Sequence, residues 1–439
     1  MARTLLPGPP LPALLQAGLI WLDPIRFVNA CHQRYGDRFA VRIPGIGTLV
    51  FLTDPADIRS VARGDPAIFR AGEAAAPLGE VLGAHSLLML DGDKHRRSRG
   101  MMLPAFHGDS VRRQVAEMID ITADNVARWP VGEPFPLYPR MQAITLDVIL
   151  RTVIGVRDED RLAALRAVLP PMLEIGSPLE LIPPPQVLRR FGMWRRRAQR
   201  NAAAQALIAD EITRCRADPR LAQRCDALAM LVRSVDSEGQ PMADDELVDQ
   251  LVTLLLAGHD TTATALSWAF ERLVRDPALL DRTAQAAIGS DDAWLDAVCK
   301  ETLRVRPVVF EFARKLTAPI QLGGYHIPAG VILAPSINLV QHSARHYRDP
   351  AVFRPQRFLD ERADPAVWLP FGGGVRRCLG ATFAQVEMRT VLREVLRRVE
   401  LSPTTAPDEP VKPRHVTMVP RLGAMVTVRR RIPTAHRVA

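Results

Sequence analysis

The chain has 439 residues, 47% hydrophobic and 24% charged, the usage of an ordinary globular protein and not of a disordered, collagenous or disulfide-stapled one. Its formal net charge of +9 invites a nucleic-acid partner, but the arginines are spread along the chain with no aromatic interleaving and no nucleic-acid module, so no nucleic-acid binding is expected. Aromatics make up only 5%, and an apolar fraction supplied by Leu, Val and Ala favours long helices over an all-β sandwich.

In chain order, residues 1–20 form a proline-rich N-terminal segment with an apolar run of about a dozen residues, where a membrane span needs ~20. No signal peptide or transmembrane anchor is read there. The run is expected to pack onto the domain, leaving membrane contact peripheral at most. Residues 38–53 alternate around a glycine turn and predict a β-hairpin. The proline-rich stretches 168–185 and 402–413 read as loops, and no repeat or linker divides the chain, so residues 1–439 are taken as one domain. A helix is expected over 244–275, from the acidic turn Asp244, Asp245, Glu246 to Asp276-Pro277. Its roughly 48 Å are apolar almost all round at LVTLLLAG, so it should cross the interior. Further β clusters surround residues 322–336 and 423–431. The expected fold is mainly α with small β-sheets, a single large domain. Cys31, Cys215, Cys225, Cys299 and Cys378 are odd in number, with no CxxC and no zinc spacing, which suits a reducing, cytoplasmic setting.

Chemistry concentrates in Phe371-Gly-Gly-Gly-Val-Arg-Arg-Cys-Leu-Gly380, a glycine-rich loop that ends in a cysteine before a helical pattern. A cysteine at such a junction meets backbone N–H groups and the positive helix end, so a thiolate and soft metal ligand is expected there. In the long helix, Gly258 weakens the backbone and the Thr261 hydroxyl can bond back to the Ala257 carbonyl, while Asp260 beside it can relay protons. His259 is read as a satisfied histidine and not as a ligand. Glu301 and Arg304, at i,i+3, share a helix face.

The cysteine segment resembles the haem-binding loop of cytochromes P-450, F-x-x-G-x-R-x-C-x-G, at Phe371, Gly374, Arg376, Cys378 and Gly380. Ala257–Thr262 is similar to the family's oxygen-activation pattern, Glu301–Arg304 to its E-x-x-R and Phe353–Phe358 to its F-x-P-x-R-F segment. The resemblance implies the P-450 fold, with the 244–275 helix crossing over a haem b, and Cys378 in the 371–380 loop as axial thiolate. Thiolate ligation favouring O–O cleavage is a general property of this family, not a deduction from spacing. It further implies that Phe371 and Gly374 shape the haem loop, that His95, Arg99, Arg314 and Arg376 hold the propionates, and that Asp260 and Thr261 are catalytic. Glu301, Arg304 and Arg357 would form a structural network beneath the haem. Residues 70–89, 168–194, 308–312 and 415–419 would line the pocket, with Glu311, a departure from the family pattern, expected to turn outward to solvent.

The implied activity inserts one atom of O2 into a small apolar substrate such as a fatty acid, terpenoid or polyketide-like molecule. Electrons would come from NAD(P)H through a separate ferredoxin- or flavodoxin-type donor, because the chain has no flavin, nicotinamide or iron–sulfur motif. With Arg376 occupied by a propionate, Arg96, Arg97, Arg112, Arg113 and Arg377 are candidates for a donor-docking patch. A second cluster, Arg189, Arg190, Arg195, Arg196, Arg197 and Arg200 beside Phe191 and Trp194, would sit at the substrate entry. The alternatives are a peroxide-driven or rearranging haem-thiolate enzyme, against which the Asp260–Thr261 pair argues, and a non-enzymatic haem sensor or carrier, in which that pair would be superfluous.

Overall fold

The acidic start of the long helix acts as a cap: the Glu246 carboxylate reaches back to the Ala243 N–H at 3.0 Å. In the computed structural model, which describes residues 6–173, 192–360, 364–414 and 416–433, this helix spans Asp244–Leu273. It ends two residues before the expected Arg275, and Asp276 caps the next helix, Pro277–Gly289, by accepting the Ala278 and Leu279 N–H groups. Leu247, Leu251, Leu255, His259, Thr262, Leu266 and Phe270 are all buried. The helix is therefore a central pillar, packed against helices Tyr138–Val148, Gly192–Ala217, Asp292–Val305 and Ala381–Arg398. Gly258 serves packing here, since a Cβ would come within 2.8 Å of Ile149 Cδ1.

The larger sheet orders its strands Arg38–Ile43, Gly47–Leu52, Ile332–Pro335, Arg314–Leu316, Phe69–Arg70. The 38–53 hairpin forms as expected, with register Arg38↔Leu52 through Ile43↔Gly47. The 322–336 cluster supplies the hairpin Ile320–Leu322 with Tyr325–Ile327 and the strand Ile332–Pro335. The C-terminal strand Met425–Arg431 lies between Pro134–Pro136 and Val399–Leu401.

Two local expectations are corrected, and the N-terminal run packs onto the domain as expected but through a polar residue. The apolar N-terminal helix Ala13–Leu22 docks through Gln16, which is buried and accepts the Arg42 N–H at 2.9 Å, while Leu14, Leu15, Leu19, Trp21 and Leu22 face outward. Arg42 is on an edge strand, and satisfying its free N–H fixes the helix more firmly than its leucines do. Helix Glu159–Leu173 runs through Pro170 and Pro171, where a loop was expected from 168. Burial of Leu165, Leu169 and Met172 offsets the missing N–H donors. The rest of that stretch, residues 174–185, lies outside the described residues. Within 402–413, residues from Val411 form a strand, Val411–Arg414, paired with Thr417–Pro420. Among the described residues no helix is long and apolar enough to cross a membrane.

Candidate active site

The cysteine loop is closed on itself. The Phe371 carbonyl accepts the Cys378 N–H at 2.9 Å, and the Gly374 carbonyl accepts the Arg377 N–H at 3.1 Å. Gly374 has φ +66°, and a Cβ there would stand 1.7 Å from the Ala62 carbonyl oxygen, so only glycine fits. Phe371 packs edge-on against Trp368 at 5.9 Å and braces the loop from within. Cys378 precedes helix Ala381–Arg398 and its side chain is accessible. Burial nevertheless pushes its thiol above the ordinary value, outweighing the Gly380 N–H and the guanidiniums of Arg377 and Arg99. The backbone N–H and positive groups expected to favour a thiolate are present, with desolvation acting against them.

Three arginines and a histidine converge beside this loop. His95 is buried on helix Gly92–Met102, and Arg99 is half-buried one turn on. Burial, then the charges of Arg376, Arg99 and Arg314, lower His95 to about 4. Burial and Arg376 lower Arg314 to about 10. Arg99 is lowered mainly by burial, with Cys378 acting against it. The carboxylate that His95, Arg314 and Arg376 feel is Asp91. Arg376 is engaged there: it donates to the Asp91 carboxylate and to the carbonyls of Leu87 (3.2 Å) and Leu90. Asp91 also receives the N–H groups of Ala71 (3.0 Å), Gly72 and Glu73 (both 3.1 Å). Three guanidiniums and a neutral imidazole around one shared carboxylate make a donor set with positive charge in excess. It suits a ligand that brings two carboxylates next to a soft thiol, as haem does.

Beneath the loop, Glu301 and Arg304 are fully buried and joined by two 2.8 Å bonds, Nε to Oε2 and Nη2 to Oε1. Arg357 Nε reaches Glu301 Oε1 at 3.1 Å, and the Arg354 N–H reaches the same oxygen at 2.8 Å. Arg304 also donates to the carbonyls of Gln341, Pro350 and Val352. Every charge is met, so the predicted three-residue network is present and structural.

On the central helix the Thr261 hydroxyl donates to the Ala257 carbonyl at 2.6 Å, as the sequence suggests. Ala257 is exposed while Leu255 and His259 are buried, so the helix presents an accessible face at Ala257. Asp260 makes no hydrogen bond to Thr261 among the described residues. Its carboxylate instead accepts from the Tyr138 hydroxyl, from Gln142 Nε2 at 3.1 Å and from Thr417 Oγ1 at 3.1 Å, with Arg414 Nη1 at 3.6 Å. His259 is a core histidine: its Nδ1 lies 3.1 Å from Thr145 Oγ1, and burial lowers it to about 4. Neither Asp260's partners nor Glu387 was anticipated. Glu387, on helix Ala381–Arg398, is fully buried next to Thr262, yet neither carboxyl oxygen completes a hydrogen bond; burial holds the acid well above its usual range.

Glu311 corrects another expectation. It is half-buried, has no hydrogen bond or ion pair among the described residues, and is pushed up to about 7 by burial alone. The side chain is therefore partly enclosed by protein and not turned fully outward to solvent. Among the arginines, Arg97 is bound to Asp236 (2.6 Å) and Glu246 (3.0 Å), which removes it from any docking patch, while Arg96, Arg112, Arg113 and Arg377 are exposed. Of the second cluster, Arg189, Arg190 and Phe191 lie outside the described residues; Arg195 and Arg196 are exposed, Arg200 is half-buried and Arg197 is buried.

The chain is similar to known proteins along nearly its whole length. A family profile described as Cytochrome P450 matches residues 6–428. A putative cytochrome P450 135B1 of Mycobacterium tuberculosis is 51% identical over 431 residues, covering 96% of this chain and 91% of its own length. A putative cytochrome P450 135A1 of the same organism is 39% identical over 421 residues, covering 95% and 94%. The solved structure of a cyanobacterial CYP120A1 with retinoic acid bound superposes with a TM-score of 0.83 at 22% identity, over 98% of this chain and 100% of that one, a likeness of fold. The chain belongs to the cytochrome P450 family of haem-thiolate monooxygenases.

Proposed function

We propose that this monooxygenase holds haem b through Cys378 and inserts one oxygen atom from O2 into a largely apolar organic substrate. The observation that carries this reading is the pairing of a glycine-clasped cysteine with a cation cluster in excess of its one carboxylate. His95, Arg99 and Arg314 would receive the two haem propionates, with Arg376 sharing its guanidinium between a propionate and Asp91. Phe371 and Gly374 hold the loop against Trp368 and Ala62 so that Cys378 keeps its position. Bound there, haem supplies the activation of dioxygen, with the thiolate favouring O–O cleavage.

The chain's own part is proton handling. Thr261 commits its hydroxyl hydrogen to the Ala257 carbonyl, leaving its oxygen free to accept. Asp260, one residue away, is reached by Tyr138, Gln142, Thr417 and Arg414 from the far side of the helix. A carboxylate that lets go of those partners and turns toward Thr261 would carry protons inward.

Electrons come from a separate donor, in our reading a ferredoxin or flavodoxin fed by NAD(P)H. Exposed Arg96, Arg112, Arg113 and Arg377 favour an acidic one. A fatty acid, terpenoid or polyketide-like substrate suits the pocket segments, and the retinoic acid of the structural neighbour is of this extended apolar kind. The single domain would work in the cytoplasm, with peripheral membrane contact at most.

The test is Cys378→Ala, which should abolish the thiolate-type carbon monoxide spectrum of the reduced protein. Retention of that spectrum would assign the ligand to another cysteine. Thr261→Ala should still bind substrate but divert reducing equivalents to peroxide; unchanged coupling would remove Thr261 from the mechanism.

A further inference from the structure

The extended stretch 308–312 runs between the two halves of the site. At one end the Val308 carbonyl accepts the Met418 N–H at 2.8 Å, and Val309 bridges Thr417, whose hydroxyl reaches Asp260. At the other end the Arg314 guanidinium lies over the Phe312 ring at 5.1 Å, within electrostatic range of Arg376 beside the cysteine loop. In between, side chains alternate. Phe310 and Phe312 pack into the clusters around the larger sheet, and Glu311 takes the opposite face. The backbone is fixed on both sides, with the Ile337 N–H on the Phe310 carbonyl at 2.9 Å and Glu311 bridged to Ser336. Glu311 therefore projects from a rigid wall on the face opposite the sheet clusters, between the Val309 end that reaches Asp260 through Thr417 and the Arg314 end beside the cysteine loop.

No cation of the protein meets it among the described residues. Arg314 is turned over Phe312, and Arg414 is held by the Tyr138 hydroxyl and Asp260. A desolvated carboxyl with no partner costs stability, and such groups gather where a ligand supplies the missing charge.

We propose that Glu311 is the recognition group of this pocket for a cationic nitrogen, a protonated amine or quaternary ammonium, carried at one end of an otherwise apolar substrate. Glu311 can have this role only if the haem-thiolate reading of the site holds. The pairing is favourable because the ligand brings the counter-charge that the wall lacks, in a place where water screens it little. A carboxylate head at the same point would meet a like charge and be rejected, which sets fatty acids aside among the apolar classes named above.

The test uses the haem-loaded full chain and three probes with a common dodecyl tail: dodecyltrimethylammonium, dodecanol and dodecanoate. The quaternary nitrogen has no lone pair, so it cannot ligate iron in place of binding Glu311. Calorimetric titration should rank the ammonium at least about tenfold tighter than the alcohol, with the carboxylate weakest. Glu311→Gln should remove the ammonium preference while the alcohol keeps its affinity. Equal or tighter binding of the alcohol or the carboxylate by the unmodified protein would overturn the assignment, and so would an ammonium preference that survives in Glu311→Gln. The ranking in the unmodified protein needs no variant, so a poorly folding substitution does not shelter the idea. The carbon monoxide spectrum of the same sample separates the two levels: its absence overturns the reading of the site, whereas its presence without the ammonium preference overturns only the role of Glu311.

Discussion

Two buried charged clusters lie on either side of the cysteine loop's supports, and they are built on opposite principles. In the Glu301–Arg304–Arg357 knot, the buried carboxylate is met by two guanidiniums and a backbone N–H, and Arg304 fills its remaining donors with carbonyls. In the His95–Arg99–Arg314–Arg376 cluster, burial above all and neighbouring guanidiniums lower every member, Asp91 answers His95, Arg314 and Arg376, and only the Cys378 sulfur answers Arg99. A closed cluster belongs to the fold and stabilises it from the start. An open cluster is a debt that a dianionic ligand relieves, so its residues tie folding to haem binding.

The largest effect should come from opening the closed knot. Glu301→Ala strands two buried guanidiniums and should cost about 3–5 kcal/mol, read as a lowered urea midpoint with or without haem. A loss below about 1 kcal/mol would mean that the knot is not the keystone its geometry indicates. Removing a member of the open cluster should act in the other direction on the haem-free chain. Arg99→Leu should leave its melting temperature unchanged or raised, because repulsion is relieved, while haem leaves the loaded protein about tenfold faster or more. A haem-free Arg99→Leu that melts early would make the cluster structural.

Acid sharpens the same contrast. His95 and His259 are both lowered to about 4 from the ordinary 6.5. As pH falls through about 6.5 the unfolded chain binds those protons first, so stability declines from there until about pH 4, where the folded state also binds them. The slope should reach about 1.4 kcal/mol per pH unit for each histidine. Haem propionates beside His95 raise it and cancel its share, so the loaded protein should show a shallower decline than the haem-free one; equal slopes would place His95 away from the carboxylates. The smallest effect belongs to Glu387, which is buried without any counter-charge. As a neutral acid it should tolerate Glu387→Gln at a cost under about 1 kcal/mol, and a loss comparable to that of Glu301→Ala would show that it is ionised.

The sequence made the backbone-determined features legible and left most side-chain partnerships hidden. The 38–53 hairpin, the central helix and the cysteine loop all depend on local signals: alternation, an acidic first turn and glycines where a Cβ cannot fit. Glu301 and Arg304 were legible because i,i+3 spacing puts them together within one helix. Asp260 was singled out, but its grip by Tyr138, Gln142 and Thr417 was not, since those residues are 118 to 157 positions away. The capture of Arg376 by Asp91 spans 285 positions and was invisible for the same reason. Glu387 sat in an ordinary helical pattern, where a charged residue reads as a solvated face, and Glu311 was turned the wrong way by the general rule that carboxylates face water. Pro170 and Pro171 misled in the opposite sense, because packing of Leu169 and Met172 overrode a local breaker.

The five cysteines, set beside one another, have a practical consequence for anyone handling the protein. Cys31, Cys215 and Cys299 are buried, and burial pushes their thiols up, that of Cys215 to about 11, which leaves them slow toward alkylating reagents. Cys225 and Cys378 are the accessible pair. A thiol-directed label should therefore mark Cys225 in every molecule and Cys378 only where no metal claims its sulfur, so the ratio of the two labelled peptides in a mass spectrum would count the loaded fraction of a preparation without any reliance on colour.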